Sequence, residues 1–300
     1  MARRATAVDV MLLGTVLLWA LNVTVTRYLL THGWKPLAYA STRYFAATAL
    51  FWAFTWTREH SFRVSLRDSR LIAIAACTIF VNQLAFVYAI DMTSGSTVAL
   101  IFGATPVFMG VIASLVGLER PARIFWVGAA ISFFGVGLVA FGSSGGFSGN
   151  ILGDLLAVAA SFTWAAYSIA IAPLMRRYSP FRISALVLAL GWVPLAAVSM
   201  PQITAQGFSF GWLIWLGFAY AFVGPLFLTN ILWFTAIDRV GPSRASLFAN
   251  LQPFFAVMFA LLLLSEHLTR WQVAGGFAIG AGIVLERARR TTIVQPVPAE

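Results

Sequence analysis

Long apolar runs separated by short polar turns occupy the chain from end to end. A helix needs about 20 apolar residues to cross the hydrocarbon core of a bilayer. The segments that meet this length are 7–30, 36–56, 71–90, 94–117, 124–142, 152–173, 182–200, 211–236, 241–264 and 271–287. The pattern therefore predicts an all-α polytopic membrane protein with ten transmembrane helices.

Composition supports lipid, rather than water, as the main solvent. Hydrophobic residues make up 60% of the 300 residues and charged residues only 10%, whereas soluble domains carry about 25% charged residues. The net charge of +10 is spread over short clusters and forms no basic face, which argues against nucleic acid as a partner. The expected partners are the lipid bilayer and a small-molecule substrate. Residues 291–300 are predicted to form a disordered tail.

The distribution of Lys and Arg predicts the orientation. With the N-terminus inside, only Lys35 and Arg270 fall in outer turns. The cations that then fall in cytoplasmic turns or termini are Arg3, Arg4, Arg58, Arg63, Arg67, Arg70, Arg120, Arg123, Arg176, Arg177, Arg182, Arg239, Arg244, Arg287, Arg289 and Arg290. Cytoplasmic loops of membrane proteins carry such an excess. Both termini are therefore predicted to be cytoplasmic, in agreement with an even number of helices.

The two halves of the chain resemble each other. Ala89-Ile90-Asp91 matches Ala236-Ile237-Asp238, 147 positions later. Without a gap, the same offset pairs Ser96 with Ser243, Pro106 with Pro253, Glu119 with Glu266, Gly128 with Gly275 and Gly135 with Gly282. Asp9 and Trp19 match Asp154 and Trp164 at an offset of 145. Because five helices are an odd number, a second copy enters the membrane from the opposite side, as in many secondary transporters. The predicted units are two inverted five-helix repeats, residues 1–145 and 146–290.

A motif that occurs in both halves carries a family resemblance. It reads Val98-Ala99-Leu100, Pro106, Glu119-Arg120 and Gly128, then Ala245-Ser246-Leu247, Pro253, Glu266-His267 and Gly275. This resembles the EamA-type domain of the drug/metabolite transporter superfamily, and most of all the YddG-type bacterial aromatic amino acid exporters. The resemblance implies alternating-access export of aromatic amino acids or related metabolites across a bacterial inner membrane.

Polar and aromatic side chains inside the apolar segments are the candidate substrate site, because such groups inside a membrane mark pathways and cavities. The candidates are Asn22, Asn82, Gln83, Tyr88, Trp164, Tyr167, Ser168, Asn230, Trp233, Asn250 and Gln252. Helical spacing places them on stripes that we expect to line a central cavity. The alternative is that the amides and hydroxyls only form hydrogen bonds between helices.

Two arginines lie within the segments. Arg27 and Arg43 are each placed near the outer end of a helix, where a long side chain can snorkel to the surface. Either could instead pair with a substrate carboxylate. Tryptophans near helix ends are expected to anchor at the membrane interface, and these are Trp19, Trp34, Trp56, Trp126, Trp212 and Trp271.

Prolines and small residues suggest moving and packing elements. Pro106 and Pro253 are equivalent positions of the two repeats and are the candidate hinges, with static kinks as the alternative. Small residues four apart permit close helix packing, and the fifth and tenth segments carry such pairs, Gly128 with Ser132 and Gly276 with Gly280. These two segments could pack on each other or form a homodimer, and the sequence leaves both open.

The missing residue types narrow the function. No Asp or Glu lies deep in a segment, whereas proton-driven pumps usually need a buried relay; this favours a facilitator driven by the substrate gradient. No catalytic motif, metal site or cofactor-binding loop is found, which argues against the third alternative, a membrane-embedded enzyme. A transporter of amphipathic drugs or other small metabolites remains the second alternative.

Overall fold

The computed structural model describes residues 2–117, 123–142, 150–175, 177–240, 248 and 251–287, and every regular element in these ranges is helical. The α-helices are α1 (Ala2–Thr31), α2 (Pro36–Glu59), α3 (Leu66–Met92), α4 (Gly95–Phe102), α5 (Thr105–Leu115), α6 (Arg123–Gly142), α7 (Ile151–Met175), α8 (Pro180–Thr204), α9 (Trp212–Phe222), α10 (Thr229–Val240), α11 (Gln252–Leu263) and α12 (Arg270–Arg287). A π-helical segment, Val223–Leu228, joins α9 to α10.

Six of the described helical stretches are long and apolar enough to cross a membrane. They are Val8–Thr31, Leu66–Met92, Arg123–Gly142, Ile151–Met175, Pro180–Thr204 and Trp212–Trp233. The pair α4 and α5 would make a seventh span. The helix α11 is shorter, and α2 and α12 lie outside this set although they have 24 and 18 residues. The six spans are confirmed, and the full set of ten remains a prediction.

The fourth predicted helix, 94–117, is not one continuous rod, and its interruption lies just before Pro106, where a hinge or a static kink was expected. It is bent by 44° where α4 meets α5, and Gly103 and Ala104 form the break. Pro106 follows in the first turn of α5, where a missing backbone N–H costs least. Pro253 occupies the equivalent first turn of α11. Each proline therefore marks a helix start rather than a helix interior.

Caps define the ends of several helices. Ser65, Ser94 and Ser179 precede α3, α4 and α8, and each side chain accepts a backbone N–H of the first turn, the preferred N-cap chemistry. Glu266 adds a second cap to α4. Its carboxylate accepts the backbone N–H groups of Gly95 at 2.9 Å and Ser96 at 2.8 Å, and a negative charge at this helix end is favourable.

Helices α6 and α12 pack on each other at backbone distance. A Cβ added to Gly135 would lie 2.7 Å from the carbonyl oxygen of Gly275. Two turns earlier in α6, the carbonyl oxygen of Gly128 lies 2.4 Å from a Cβ added to Gly282. The earlier residue of α6, Gly128, meets the later residue of α12, Gly282, so the two helices are antiparallel. No side chain fits between these glycines.

The glycines of this contact differ in part from those expected. Ser132 faces α12 as predicted, and its hydroxyl donates to the Ile279 carbonyl at 3.3 Å. Gly276 instead faces Leu100 of α4, and a Cβ at Gly280 would meet nothing within 4 Å. Because α6 and α12 pack within one chain, these surfaces are occupied, and a homodimer remains an untested prediction.

Helix α3 lies against α7, α2 lies against α8, and α1 packs between α10 and α11. Helix α3 also contacts α1 and α2, and many large apolar side chains remain on the outside, such as Phe134, Trp212 and Phe277. An apolar exterior of this kind suits a lipid-facing surface.

Candidate functional site

Arg43 lies at the centre of the helices and is only 1% exposed, so the expectation that it snorkels to a surface is wrong. Its Nη2 donates to the Gln83 Oε1 at 2.6 Å. Its Nη1 donates to the Asn22 Oδ1 and to the Tyr39 hydroxyl, both at 3.3 Å. Three helices thus present neutral oxygens to one buried charge. Asn22 and Gln83 are two of the predicted site residues.

Aromatic rings surround the same guanidinium. Its central carbon lies 4.9 Å from the ring centre of Tyr39, and 5.7 Å from those of Tyr44 and Phe86, within range of cation–π attraction. The Nε atom has no hydrogen-bond partner. Sequence reasoning missed these rings. The position of Tyr39, one helical turn before Arg43, was the available signal.

A relay of amides connects Arg43 to α7. The Gln83 Nε2 donates to the Asn82 Oδ1 at 2.9 Å. The Asn82 Nδ2 donates in turn to the Ala160 carbonyl at 2.7 Å and lies 3.4 Å from the Thr163 Oγ1. Both amides are buried. Consecutive hydrogen bonds of this kind hold their members in fixed orientations, so the relay fixes the position of the guanidinium relative to α7.

An aromatic cluster lies beside this polar network. The ring centre of Trp19 is 6.1 Å from that of Trp164 and 5.1 Å from that of Trp233. Tyr167 adds a fourth ring, 5.4 Å from Trp164. The Trp19 indole N–H donates to the Thr229 hydroxyl at 3.0 Å. Trp19 was expected at a membrane interface and lies instead in the cluster. Its match with Trp164 in the repeat was the signal for this.

The network and the cluster share two helices. On α1, Asn22 of the network and Trp19 of the cluster are three residues apart and therefore share a face. On α7, Thr163 and Trp164 are adjacent. A guanidinium with amide groups thus adjoins a wall of aromatic rings. Such an arrangement matches a ligand that has one polar, charged end and one apolar end.

Three predicted site residues have partners elsewhere. The Tyr88 hydroxyl accepts from the Gln202 Nε2 at 3.1 Å, in a contact between α3 and α8. Ser168 donates to a carbonyl of its own helix at 2.8 Å, and Asn230 likewise donates to a carbonyl one turn earlier. Only the bond of Tyr88 joins two helices, which is the alternative that the sequence left open.

Two more predicted site residues, Asn250 and Gln252, belong to the ninth predicted segment, 241–264. Gln252 is half-buried in the first turn of α11. Asn250 lies outside the described residues, as does the predicted tail, 291–300.

Arg27 is occupied by backbone. Its Nη1 donates to the carbonyls of Ile90 at 2.5 Å and Asp91 at 2.8 Å. These carbonyls end α3, and a cation at a helix C-terminus is favourable. The structure therefore gives Arg27 the role of a helix cap.

Tryptophans near helix ends fall into two groups. Trp34 is 2% exposed, and its ring stacks on those of Phe210 and Phe218 with centres 5.0 Å away, so it is not an interface anchor. The exposed ones are Trp56, Trp126, Trp212 and Trp271.

A separate cavity of about 380 Å³ lies at the C-terminal ends of α1 and α11. It is lined by Arg27, Tyr28, Thr31, His32, Leu263, Leu264 and Glu266. Two of these lining residues are helix caps: Arg27 at the C-terminal end of α3 and Glu266 at the N-terminal end of α4.

Comparisons with known proteins identify one family and several similar transporters. The model of the EamA-like transporter family matches twice, over residues 6–141 and 151–286. An uncharacterized transporter of Archaeoglobus fulgidus is 25% identical over 92% of this chain and 97% of its own length. The uncharacterized inner membrane transporter YedA of Escherichia coli K12 is 25% identical over 96% of this chain and 93% of its own. A solved crystal structure with 15% identity has a TM-score of 0.64 and covers 94% of this chain and 97% of that chain, a likeness of fold alone.

Proposed function

Since the chain belongs to the EamA-like transporter family, we propose that it is a secondary transporter that exports amino acids, chiefly aromatic ones, or closely related metabolites. It is a multi-pass protein of the inner membrane, in keeping with its apolar spans and its relative YedA. The observation that carries the substrate proposal is that the aromatic cluster and the buried polar network share helices α1 and α7. The finer likeness to YddG-type exporters belongs to the same proposal.

The proposed architecture is ten helices in two inverted repeats with both termini in the cytoplasm. Its main support is the antiparallel contact of α6 with α12. Ser132 and Ile279 are equivalents at the 147-residue offset, and they contact each other. In a pair related by a two-fold axis, equivalent residues meet on the axis. A two-fold axis that relates two antiparallel helices is perpendicular to them. For helices that cross a membrane, such an axis lies in the plane of the membrane.

A second contact between equivalents runs through the proposed site. Trp19 and Trp164 correspond at the 145-residue offset, and their rings lie edge to face. The proposed two-fold axis would then pass through the aromatic cluster. Substrate sites of inverted-repeat transporters lie at such repeat interfaces, near the midplane of the membrane. This supports the cluster as the place where a substrate binds.

The proposed energy source is the substrate gradient. Among the described residues, the buried acids are Asp68 and Asp154, and both lie in the first turn of a helix. Asp68 pairs with Arg177 at 2.6 Å, and Asp154 accepts the Thr93 hydroxyl at 3.0 Å. A proton relay near the cluster would need a carboxylate at that depth.

Alternating access requires parts that move, and Pro106 and Pro253 remain the proposed hinges. Pro106 lies in the first turn of α5, after the break at Gly103 and Ala104, and Pro253 lies in the first turn of α11. Few backbone hydrogen bonds need to break at such a place, because the first N–H groups of a helix have no partners within it.

Flux of labelled tryptophan into liposomes that contain the purified protein, without an ion gradient, tests this proposal. We expect saturable flux that phenylalanine competes with, and no flux in protein-free liposomes. Absence of tryptophan flux, even with an imposed pH gradient, would contradict the proposal and favour amphipathic drugs or other metabolites as substrates.

A variant of the cluster sharpens this test. Trp164→Ala should raise the half-saturation concentration for tryptophan about tenfold, because one stacking surface is lost. Trp126→Ala, at an exposed position on α6, is the matched control and should leave it unchanged. Equal kinetics of the two variants would remove Trp164 from the site.

A further inference from the structure

The partners of Arg43 are all neutral. The ion pairs among the described residues are Asp68 with Arg177 and Glu59 with Arg182, both near helix ends, and Arg43 takes part in neither. Its acceptors are two amide oxygens and one hydroxyl. A full positive charge is therefore buried among uncharged groups at the centre of the helices.

This arrangement leaves binding capacity unused. A guanidinium has five N–H donors, and here two of the three hydrogen bonds are long, at 3.3 Å, while the Nε has no partner. Burial of a charge without a counter-charge is costly, and an apolar side chain of similar volume would fill the same space without that cost. The unused donors thus suit a ligand that brings a negative charge.

We propose that Arg43 is the anion-binding group of the substrate site, so that the transported molecule carries a carboxylate joined to an apolar or aromatic body. This inference rests on the proposed transport function. The planar guanidinium matches a carboxylate through two parallel hydrogen bonds. On α1, Asn22 bonds to the guanidinium and Trp19, three residues earlier, belongs to the aromatic cluster. A bound carboxylate supplies the missing counter-charge while its apolar body lies against the rings.

The same geometry separates the two arginines. Arg27 already donates to two carbonyls that need a partner, so it caps a helix and binds no substrate. The buried charge of Arg43 would also determine which ligands bind. Amines that lack a carboxylate meet this positive charge without compensating it, and therefore bind poorly. Cationic amphipathic drugs are excluded as substrates for this reason.

Thermal stabilisation of the purified protein by two matched ligands tests the inference. Indole-3-propionate keeps the carboxylate and lacks the amine of tryptophan, whereas tryptamine keeps the amine and lacks the carboxylate. In the wild type, half-maximal stabilisation should need at least about tenfold less indole-3-propionate than tryptamine. Equal potency of the two ligands, or no stabilisation by indole-3-propionate, would overturn the inference.

Three variants assign the preference to one side chain. Arg43→Gln should abolish the preference for the carboxylate, and Arg43→Lys, which keeps the charge but not the planar fork, should reduce it to about threefold. The control Arg27→Gln should lower the melting temperature of the ligand-free protein but retain the preference. If Arg43→Gln does not fold, Arg43→Lys carries the test, and an unchanged preference in that variant would overturn the inference.

This binding experiment does not depend on tryptophan flux. If tryptophan is not transported but indole-3-propionate stabilises the wild type through Arg43, the carboxylate site stands and the proposed aromatic amino acid substrate fails. If tryptophan is transported and Arg43→Gln keeps the carboxylate preference, the transport proposal stands and the role of Arg43 fails.

Discussion

The contacts of α6 with α12 and of α3 with α7 are the two most extensive helix interfaces in the described parts of the chain, and they differ in chemistry. Glycines bring α6 and α12 to backbone distance, with a carbonyl of one helix against a Cα of the other. In contrast, α3 and α7 are joined by the buried amide of Asn82, which donates to the Ala160 carbonyl. One interface is close-packed backbone and the other is a hydrogen-bonded network.

This difference separates a scaffold from a site. In lipid, helices associate through close packing and hydrogen bonds, because lipid tails give no hydrophobic drive between them. The α6–α12 contact relies mainly on close packing, with one hydrogen bond from Ser132 to the Ile279 carbonyl, and leaves no room for a ligand between its glycines. The α3–α7 contact uses hydrogen bonds. Asn82 of this contact bonds to Gln83, which in turn accepts from Arg43. A change at the first interface should affect folding alone, and a change at the second should affect both folding and substrate binding.

The largest expected effect is at the glycine contact. Gly135→Ala would place a Cβ 2.7 Å from the Gly275 carbonyl oxygen and 2.8 Å from the Ile279 nitrogen, so the helices must separate. We expect a loss of about 3 kcal/mol in the free energy of unfolding, an overpacking cost, measured by denaturation in detergent. Gly137→Ala, whose Cβ would meet nothing within 4 Å, is the control on the same helix.

In those two variants the substrate affinity of the folded fraction should stay at the wild-type value. Equal stability of Gly135→Ala and Gly137→Ala would show that the α6–α12 contact is looser than described here. A changed affinity would mean that the two interfaces are coupled.

An intermediate effect is expected in the polar network. Gln83→Leu removes the 2.6 Å acceptor of Arg43 and the donor to Asn82. Loss of a hydrogen bond to a charged group should cost about 2 kcal/mol of stability and also weaken substrate binding. The measurements are denaturation and tryptophan flux. Thr78→Val, on the same helix and bonded only to carbonyls of its own helix, should change neither. Wild-type flux in Gln83→Leu would exclude the relay from the site.

The smallest effect is expected at Tyr88, which lies on α3 but faces α8. Tyr88→Phe removes one neutral hydrogen bond to Gln202 and keeps the ring, so the cost should be below about 1 kcal/mol. Tryptophan flux should remain at the wild-type level. A clear loss of flux at unchanged melting temperature would return Tyr88 to the substrate site.

Residue pattern alone predicted most helix boundaries to within a few positions, because apolar run length is the dominant constraint on a membrane helix. It indicated an interruption at Pro106, and the structure places the break at Gly103 and Ala104, just before that proline. It also placed Trp19 and Trp34 at the membrane surface. A residue near a helix end can still be buried when neighbouring helices extend beyond that end. The rings of Trp19 and Trp34 both pack against rings of other helices.

Site residues were only partly predictable for a related reason. Hydrogen bonds join Gln83 to Asn82 and, through Arg43, to Asn22, whereas Tyr88, from the same predicted set, bonds to Gln202 of α8. A polar residue in an apolar segment is recognisable from sequence, whereas its partner depends on helix rotation. Arg43 illustrates this: its position suggested a surface, and the rotation of α2 directs it inward.

The sequence by itself determined that the chain is a helical membrane protein with two similar halves. The length of the apolar runs, the uneven distribution of arginines and the offset of the repeat can all be read from the order of residues along the chain. Only the tertiary structure decided which small residues form the α6–α12 contact, which arginine is a helix cap, and which arginine lies buried beside aromatic rings. The physical reason is that helix rotation and packing distance, which no linear pattern specifies, select the partner of each side chain.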